Sequence, residues 1–246
     1  MKKKAKLAQE RYPTFMEDQR KFFDELITNE WQSYLNADWD AIRKFEVDRL
    51  FERVSPRRIL DVGCGCGYHD LLMAEKYGVE RVVGIDYSKK SIETANRMYP
   101  HKKVVRFPAD IFELQTSPFD MVVSFQVIEH ITDPVAFLEA CIRQVQSGGW
   151  VVTTTPNRNR LTNRFLSLFG RPQQLRDPQH FREFTVSELV KISSVIGLRL
   201  ETSFGYGMSL MLPKFQWPNF PQKIALKLGY RITLLADCIC VVFRAP

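Results

Sequence analysis

The chain has 246 residues, of which 45% are hydrophobic and 26% are charged. This composition is typical of a folded globular protein and excludes collagen-like, low-complexity and wholly disordered chains. The 35 Lys and Arg residues against 28 Asp and Glu give a net charge of +7, which permits nucleic acid, anionic membranes or phosphorylated substrates but selects none of them. The five cysteines include no CxxC pair, so neither a disulfide framework nor a zinc site is indicated.

The N-terminal part reads as helical, because large apolar residues recur there at helical spacing. We predict a helical cap over residues 1–56, whose last apolar stripe runs from Val47 to Val54 and ends at Ser55-Pro56. Although Met1–Lys6 is basic, no apolar signal core follows it, so we expect a cytoplasmic protein.

Residues 57–246 form the second predicted unit, in which short apolar segments alternate with amphipathic ones. This alternation predicts an α/β fold with a doubly wound, seven-stranded, mostly parallel sheet. The predicted strands are Arg58–Val62, Arg81–Asp86, Val104–Phe107, Met121–Phe125, Trp150–Thr155, Leu198–Phe204 and Cys238–Phe243.

Two connections in this unit are much longer than the roughly 2–6 residues usual between such elements. We predict that they form lids over the binding edge of the sheet, near residues 156–184 and 205–222. The first lid ends at Thr185-Val186-Ser187-Glu188, a capping-box sequence that predicts the start of a helix.

Three glycines at alternate positions follow the first predicted strand, in Asp61-Val62-Gly63-Cys64-Gly65-Cys66-Gly67. Glycines at such a turn let the backbone bend tightly and approach a ligand closely. The dinucleotide fingerprint Gly-x-Gly-x-x-Gly/Ala is excluded, because Tyr68 stands at its last position. The Asp-x-Gly-x-Gly-x-Gly pattern instead resembles that of the class I S-adenosylmethionine-dependent methyltransferases, which have a Rossmann-like fold.

The resemblance implies S-adenosyl-L-methionine as cofactor and assigns residues to its parts. Asp86, at the end of the second strand, is expected on the ribose hydroxyls, and Asp110, after the third strand, near the adenine amino group. The full predicted cofactor set is Asp61, Gly63, Cys64, Gly65, Gly67, Asp86, Tyr87, Asp110, Ile111, Phe112 and Gln126. Each element alone is also compatible with an ordinary turn or helix cap.

Three further segments are similar to the ubiquinone-biosynthesis O-methyltransferases within this class. They are Ser124–Pro134, which contains Glu129-His130, then Thr155-Pro156-Asn157, and His180–Thr185. Some of those enzymes have Glu where Gln126 stands and use paired acids with the His to hold a divalent ion. A neutral amide is a poorer ligand for a hard cation, so we assign no metal ligands.

A hydroxyl or amine acceptor must lose a proton during methyl transfer, which calls for a base near the methyl group. Of the four histidines, His130 and His180 fall on the predicted binding edge, and we assign them as catalytic. The alternative for His130 is a local bond that shapes its loop, and for His180 packing ahead of the capped helix.

The first lid is rich in arginine and carries an amphipathic segment at 159–169, in which Arg160 and Arg164 align beside an apolar face. This pattern suits an anionic lipid surface, so we expect peripheral contact with an anionic membrane and a small-molecule or lipid-linked acceptor. The resemblance to the O-methyltransferases implies O-methylation. The alternative is a lid that packs on itself with solvated arginines.

Two other functions are compatible with the sequence, an RNA methyltransferase and a non-catalytic methyltransferase-like binding protein. Nucleic acid is not expected, because the segment after the fourth strand has neither an Asn/Asp-Pro-Pro-aromatic motif nor a Pro-Cys nucleophile. The sequence leaves open the acceptor, the attacking atom, the use of a metal and the oligomeric state.

Overall fold

The computed structural model describes residues 21, 24–25, 37–177, 179–209, 211–212, 215–216 and 221–246. Seven strands form the main sheet and two short ones form a separate hairpin. The strands are β1 Arg58–Val62, β2 Arg81–Asp86, β3 Val104–Pro108, β4 Phe119–Phe125, β5 Val145–Pro156, β6 Arg199–Tyr206, β7 Met211–Leu212, β8 Phe215–Gln216 and β9 Cys238–Arg244. The α-helices are α1 Ala37–Phe51, α2 Tyr68–Ala74, α3 Lys89–Met98, α4 Pro134–Gln144, α5 Leu161–Leu168, α6 Val186–Ser194 and α7 Gln222–Arg231.

The main sheet has the order β3-β2-β1-β4-β5-β9-β6, and β9 is its antiparallel strand. The predicted α/β fold with a seven-stranded, mostly parallel sheet is therefore confirmed. The boundaries differ in places. Strand β5 begins at Val145 rather than Trp150, and β6 ends at Tyr206 rather than Phe204.

Alternate side chains of the strands enter two cores, one on each face of the sheet. Ile59 of β1 points into one core and its neighbour Leu60 into the other, as the period of two in a strand requires. Helices α4 and α6 cover the Leu60 side, whereas α1, α2 and α7 cover the Ile59 side. Both faces are therefore buried, as expected for parallel strands.

Helix α1 belongs to the second core, because Val47 and Leu50 are fully buried there among residues of the sheet. The helical spacing of this apolar stripe predicted the helix correctly. Of the part of the predicted cap that precedes α1, only residues 21 and 24–25 are among the described residues. In the second lid, the side chains at 210–220 also lie outside them. No helix in the part of the chain that the structure describes is long and apolar enough to cross a bilayer.

A buried ion pair joins β3 to the start of α2. The Arg106 guanidinium donates through Nε to Asp70 Oδ2 at 2.6 Å, and both side chains are removed from solvent. The same guanidinium donates to the Gly67 carbonyl at 2.9 Å and to the Tyr99 carbonyl at 3.0 Å. These bonds tie the end of the glycine loop to the sheet, and the sequence analysis did not identify Arg106.

We expect Arg106→Met to destabilise the fold by about 3–5 kcal/mol, because it leaves the Asp70 carboxylate buried without its charged partner. Urea unfolding measures this loss. Adding Asp70→Asn to the same chain should restore part of the stability, since the unpaired charge is then removed. Arg57→Met is the control, because the Arg57–Glu80 pair is exposed. An Arg106→Met protein as stable as the Arg57→Met control would contradict the account.

Candidate active site

The glycine loop between β1 and α2 has a left-handed backbone at each of its three glycines, with φ of +75° at Gly63, +52° at Gly65 and +80° at Gly67. A Cβ on Gly63 would lie 2.6 Å from a Val127 methyl, and one on Gly67 would lie 2.7 Å from Arg106 Nε. These two glycines are therefore needed by the packing of the protein. At Gly65 nothing lies within 4 Å, so this position is open to a ligand.

Asp86 lies where the glycine loop meets the end of β2. Its Oδ2 accepts from the Gly65 backbone N–H at 2.9 Å and its Oδ1 from that of Ser88 at 2.8 Å. Burial raises the pKa of Asp86 to about 6, although the two backbone hydrogen bonds oppose the shift. The Ser88 hydroxyl in turn donates to Asp24, which brings a described residue of the predicted cap to this edge.

Asp61 and Cys64 of the predicted cofactor set face the protein interior. Asp61 is 1% exposed, and neither of its carboxylate oxygens has a hydrogen-bond partner among the described residues. Burial, and then the charge of Asp70, raises the pKa of Asp61 well above its usual range. The buried Cys64 bonds through its backbone N–H to the Ile85 carbonyl at 3.0 Å. Both residues shape the loop from within, and their cofactor contacts stay predictions.

The segment after β3 lies beside the end of β2, because Asp86 pairs with Pro108 in the sheet. Asp110 Oδ1 accepts from the Phe112 backbone N–H at 2.9 Å and so closes a tight turn. Ile111 is buried, whereas Tyr87 and Phe112 are half-buried at this edge. The structure thus places Asp110, Ile111 and Phe112 of the predicted cofactor set next to the end of β2, where Asp86 and Tyr87 lie.

Gln126 follows β4 and has a φ of 56°, the one positive φ of a non-glycine residue in the described ranges. This conformation costs about 1–3 kcal/mol and is typical of functional sites. Its backbone N–H bonds to the Thr154 carbonyl at 3.1 Å, and its Nε2 donates to Thr154 Oγ1 and Tyr206 Oη, each at 3.0 Å. The Gln126 side chain is thereby fixed next to the part of the sheet edge formed by β4, β5, β9 and β6. We call this part the acceptor half, because the predicted catalytic histidines follow β4 and precede β6.

A buried hydrogen-bonded chain supports Gln126 from below. The Tyr206 hydroxyl donates to Glu46 of α1, and the other oxygen of Glu46 lies 2.9 Å from His69 Nε2. The His69 ring stacks on Phe125, with centroids 3.9 Å apart. The sequence analysis missed this chain. One feature of the sequence indicates that Glu46 is buried: it lies four residues before the buried Leu50 and therefore on the same face of the helix.

Glu129, His130 and His180 come together at the acceptor half. One ligand atom from each lies within 4.8 Å of the other two, and the imidazole centroids are 4.9 Å apart at 80°. Burial raises the pKa of Glu129 to about 8, whereas burial and then His180 lower the pKa of His130 to about 4. The structure thus places the two predicted catalytic histidines side by side, with an acid that the prediction did not include.

This trio has the donor set of a metal site. Both Glu129 oxygens are buried and have no hydrogen-bond partner among the described residues, so they are available to a cation. One carboxylate and two imidazoles suit Zn²⁺, Mn²⁺ or Fe²⁺ better than Mg²⁺ or Ca²⁺. The sequence analysis assigned no metal ligands because Gln126 is neutral. It did not foresee that His180, from a distant segment, adds a third donor.

Glu183 organises the segment that carries His180. It is buried and accepts from Arg160, from the Arg176 backbone N–H and from His180 Nδ1, the last at 3.2 Å. Burial raises the pKa of Glu183, but these hydrogen bonds outweigh it and hold the pKa below its usual value. The expectation that Arg160 lines an outward basic face with Arg164 is wrong, because pairing with Glu183 buries Arg160.

Comparison with protein families gives a match over more than half of the chain. Residues 31–203 match the family described as "Methyltransferase domain". A protein of Mycolicibacterium smegmatis, named "probable S-adenosylmethionine-dependent methyltransferase", is 33% identical over 66% of this chain and 61% of its own length. A Mycobacterium tuberculosis relative of the same description is 30% identical over 63% of this chain and 53% of its own length. The chain thus spans less than two-thirds of these relatives.

The ubiquinone biosynthesis O-methyltransferase of Chromobacterium violaceum is 28% identical over 75% of this chain and 87% of its own length. Among solved structures, the magnesium protoporphyrin IX methyltransferase of Synechocystis superposes with a TM-score of 0.65. That structure contains S-adenosylhomocysteine and is 14% identical over 94% of this chain and 99% of its own, so it supports the fold alone.

The sheet order, the open glycine beside Asp86 and the family match agree with one another. They confirm the resemblance on which the cofactor prediction rests. The chain belongs to the class I S-adenosylmethionine-dependent methyltransferases.

Proposed function

We propose that this protein transfers the methyl group of S-adenosylmethionine to an oxygen atom of a small or lipid-linked acceptor. The observation that carries the proposal is that two groups of residues lie at one edge of the same sheet: Gly65 bonded to Asp86 at the predicted cofactor side, and Gln126, His130 and His180 after strand β4 and in the first lid. Open α/β sheets bind ligands at this edge. The relatives named as O-methyltransferases support oxygen as the attacking atom.

The reaction is an in-line displacement at the sulfonium methyl. The acceptor oxygen forms a bond to the methyl carbon, the bond between carbon and sulfur breaks, and its electron pair stays on the sulfur of S-adenosylhomocysteine. The acceptor hydroxyl must release its proton to a base. Holding the two reactants in line supplies much of the acceleration in such reactions. The Gln126 amide nitrogen already donates to Thr154 and Tyr206, so its side-chain oxygen is the atom left to accept from the acceptor hydroxyl.

His180 is the better placed of the two histidines to take that proton. Because Glu183 is ionised and a carboxylate can only accept, the proton on the His180 ring sits on Nδ1, which donates to Glu183. The Nε2 lone pair is then free to receive the acceptor proton. His130, with its pKa lowered to about 4, is neutral at physiological pH and is a weaker base.

A bound divalent ion would be a second way to promote the loss of the acceptor proton. Glu129, His130 and His180 would hold it, and the ion would supply Lewis acidity that lowers the pKa of an acceptor hydroxyl. Ligation would also compensate the buried Glu129 carboxylate.

Radiolabelled methyl-S-adenosylmethionine, incubated with the protein and a fractionated extract of its source cells, tests the proposal. We expect label in the lipid or small-molecule fraction, and none with Asp86→Ala. Label in the nucleic acid would favour the RNA methyltransferase instead. Measured cofactor binding without any labelled product would favour the non-catalytic binding protein.

Cofactor affinity should fall as the pH decreases through about 6. Burial raises the pKa of Asp86 to about 6, and below that pH the carboxyl is protonated, so it loses its charge and keeps one strong acceptor oxygen instead of two for the ribose hydroxyls. Calorimetric titration with S-adenosylhomocysteine between about pH 8 and pH 5 measures the effect. Asp86→Asn should bind about 10- to 100-fold more weakly at pH 8 and lose the dependence on pH. Asp133→Asn, at an exposed helix cap, should behave as wild type.

His180→Ala should lower kcat by about 100- to 10,000-fold, the usual contribution of a general base. The dissociation constant for S-adenosylhomocysteine should stay unchanged, since His180 is on the acceptor half. The rate of label transfer measures the first and calorimetry the second. His101→Ala, on the loop before β3, is the control. Unchanged turnover in both His130→Ala and His180→Ala would exclude a histidine base.

The end of α5 and the loop after it carry the surface that we assign to the membrane. Leu168 is 81% exposed and Phe169 is 66% exposed, and Leu175 and Phe181 are also exposed nearby in the chain. The exposed arginines of this segment include Arg164, Arg171 and Arg182. Exposed apolar side chains among cations suit an anionic lipid surface, where a lipid-linked acceptor would be found.

Phe169→Asp should lower binding to phosphatidylglycerol vesicles by roughly tenfold or more, because it removes one large apolar side chain from the bilayer and adds a negative charge. Flotation of the protein with vesicles measures binding, with neutral phosphatidylcholine vesicles as the comparison. Val195→Asp is a matched control, since Val195 is 80% exposed but follows α6. Equal flotation of the two variants would contradict this surface.

A further inference from the structure

Arg176 presents a guanidinium group that the proposed reaction does not use. It lies in the first lid and its backbone N–H is bonded to Glu183, which fixes the chain at this point. Its side chain is exposed to solvent, and the titratable groups near enough to affect its pKa are Cys238, Asp237, Tyr206 and Glu183. A side chain with both properties enters a cleft that is open to solvent.

That cleft is in the acceptor half of the sheet edge. Cys238 and Tyr206 are paired with each other across β9 and β6, and Cys238 is also paired with Pro156 at the end of β5. Gln126 connects to both, through a 3.0 Å bond to the Tyr206 hydroxyl and a 4.0 Å contact with Cys238 Sγ. Because β4 and β5 separate these residues from β1 in the sheet, Arg176 is on the acceptor side of Gln126, away from the glycine loop.

The charge of Arg176 is not matched by a direct ion pair. Within the described ranges, no carboxylate oxygen lies within 4.0 Å of the guanidinium. Burial raises the pKa values of Tyr206 and Cys238, so both are neutral at physiological pH. The Glu183 carboxylate is already shared by Arg160 and His180, and Asp237 accepts from the Ser209 backbone N–H at 3.2 Å.

We infer that Arg176 binds an anionic group of the acceptor, a carboxylate or a phosphate, next to the position where methyl transfer occurs. This inference rests on the proposed function and narrows its substrate class. A guanidinium offers paired N–H donors whose planar geometry matches the two oxygens of such a group. Gln126, fixed beside the same cleft, then contacts the part of the acceptor closer to the methyl group.

Three small aromatic probes of similar shape test the inference on protein saturated with S-adenosylhomocysteine. They are benzoate, phenyl phosphate and the neutral benzyl alcohol, each titrated by calorimetry. We expect the wild type to bind one or both anions at least about tenfold more tightly than benzyl alcohol, and the anion preferred identifies carboxylate or phosphate. Arg176→Gln should lose about 10- to 100-fold in anion affinity and leave benzyl alcohol unchanged. Arg176→Lys should lose less, because it keeps the charge but not the paired donors.

Arg143→Gln is the matched control, since Arg143 is an exposed arginine on α4, outside both proposed binding surfaces, and should bind anions as the wild type does. Circular dichroism of each variant establishes that it is folded. The inference would be overturned if the wild type bound neither anion or bound benzyl alcohol as tightly as the anions. It would also be overturned if Arg176→Gln bound the anions as tightly as the wild type. The dissociation constant for S-adenosylhomocysteine, measured first, separates the two levels. If the wild type does not bind S-adenosylhomocysteine, the proposed function is contradicted. If it binds S-adenosylhomocysteine but its affinity for anions does not depend on Arg176, this inference alone is contradicted.

Discussion

A buried cation must have its donors satisfied, and Arg106 meets this requirement with groups from three separate segments. Asp70 at the start of α2, the Gly67 carbonyl in the glycine loop and the Tyr99 carbonyl after α3 all accept from one guanidinium. Moving any of these segments would leave a charged donor unpaired in the interior, which is costly. The shape of the cofactor loop, including the open position at Gly65, thus depends on a residue that no ligand needs to touch.

In the acceptor half, the Glu183 carboxylate has the role that the Arg106 guanidinium has in the cofactor half, with the charges reversed. One buried carboxylate accepts from Arg160, from His180 and from the Arg176 backbone, and these residues are spread over the whole first lid. The lid is long, but it is ordered by this centre and by Asn157, whose side-chain amide donates to the Leu234 and Ala236 carbonyls. The two halves of the site are therefore each organised by one buried ion pair.

The sequence predicted what depends on local pattern. Strand alternation, the glycine spacing and the acid at the end of β2 are properties of short segments, and each is where it was expected. Partnerships across long separations were not predictable, since nothing near Arg106 marks Asp70 as its partner. Arg160 shows the reason most clearly. Helical spacing predicted that it lies with Arg164 on a basic face of an amphipathic segment, but a carboxylate 23 residues away buries it.

The position of β9 has a consequence for how the molecule is assembled. Strands β1, β2 and β3, which carry the loop and Asp86, come from the contiguous stretch 58–108, so the cofactor half forms from contacts close in the chain. Strand β9 follows both of its neighbours, β5 and β6, and until it inserts between them their facing edges are unpaired. Such long-range pairing is slow and leaves exposed strand edges in the meantime. The acceptor half is therefore complete only after residues 238–244 have been synthesised and paired, whereas the strands of the cofactor half all precede residue 109.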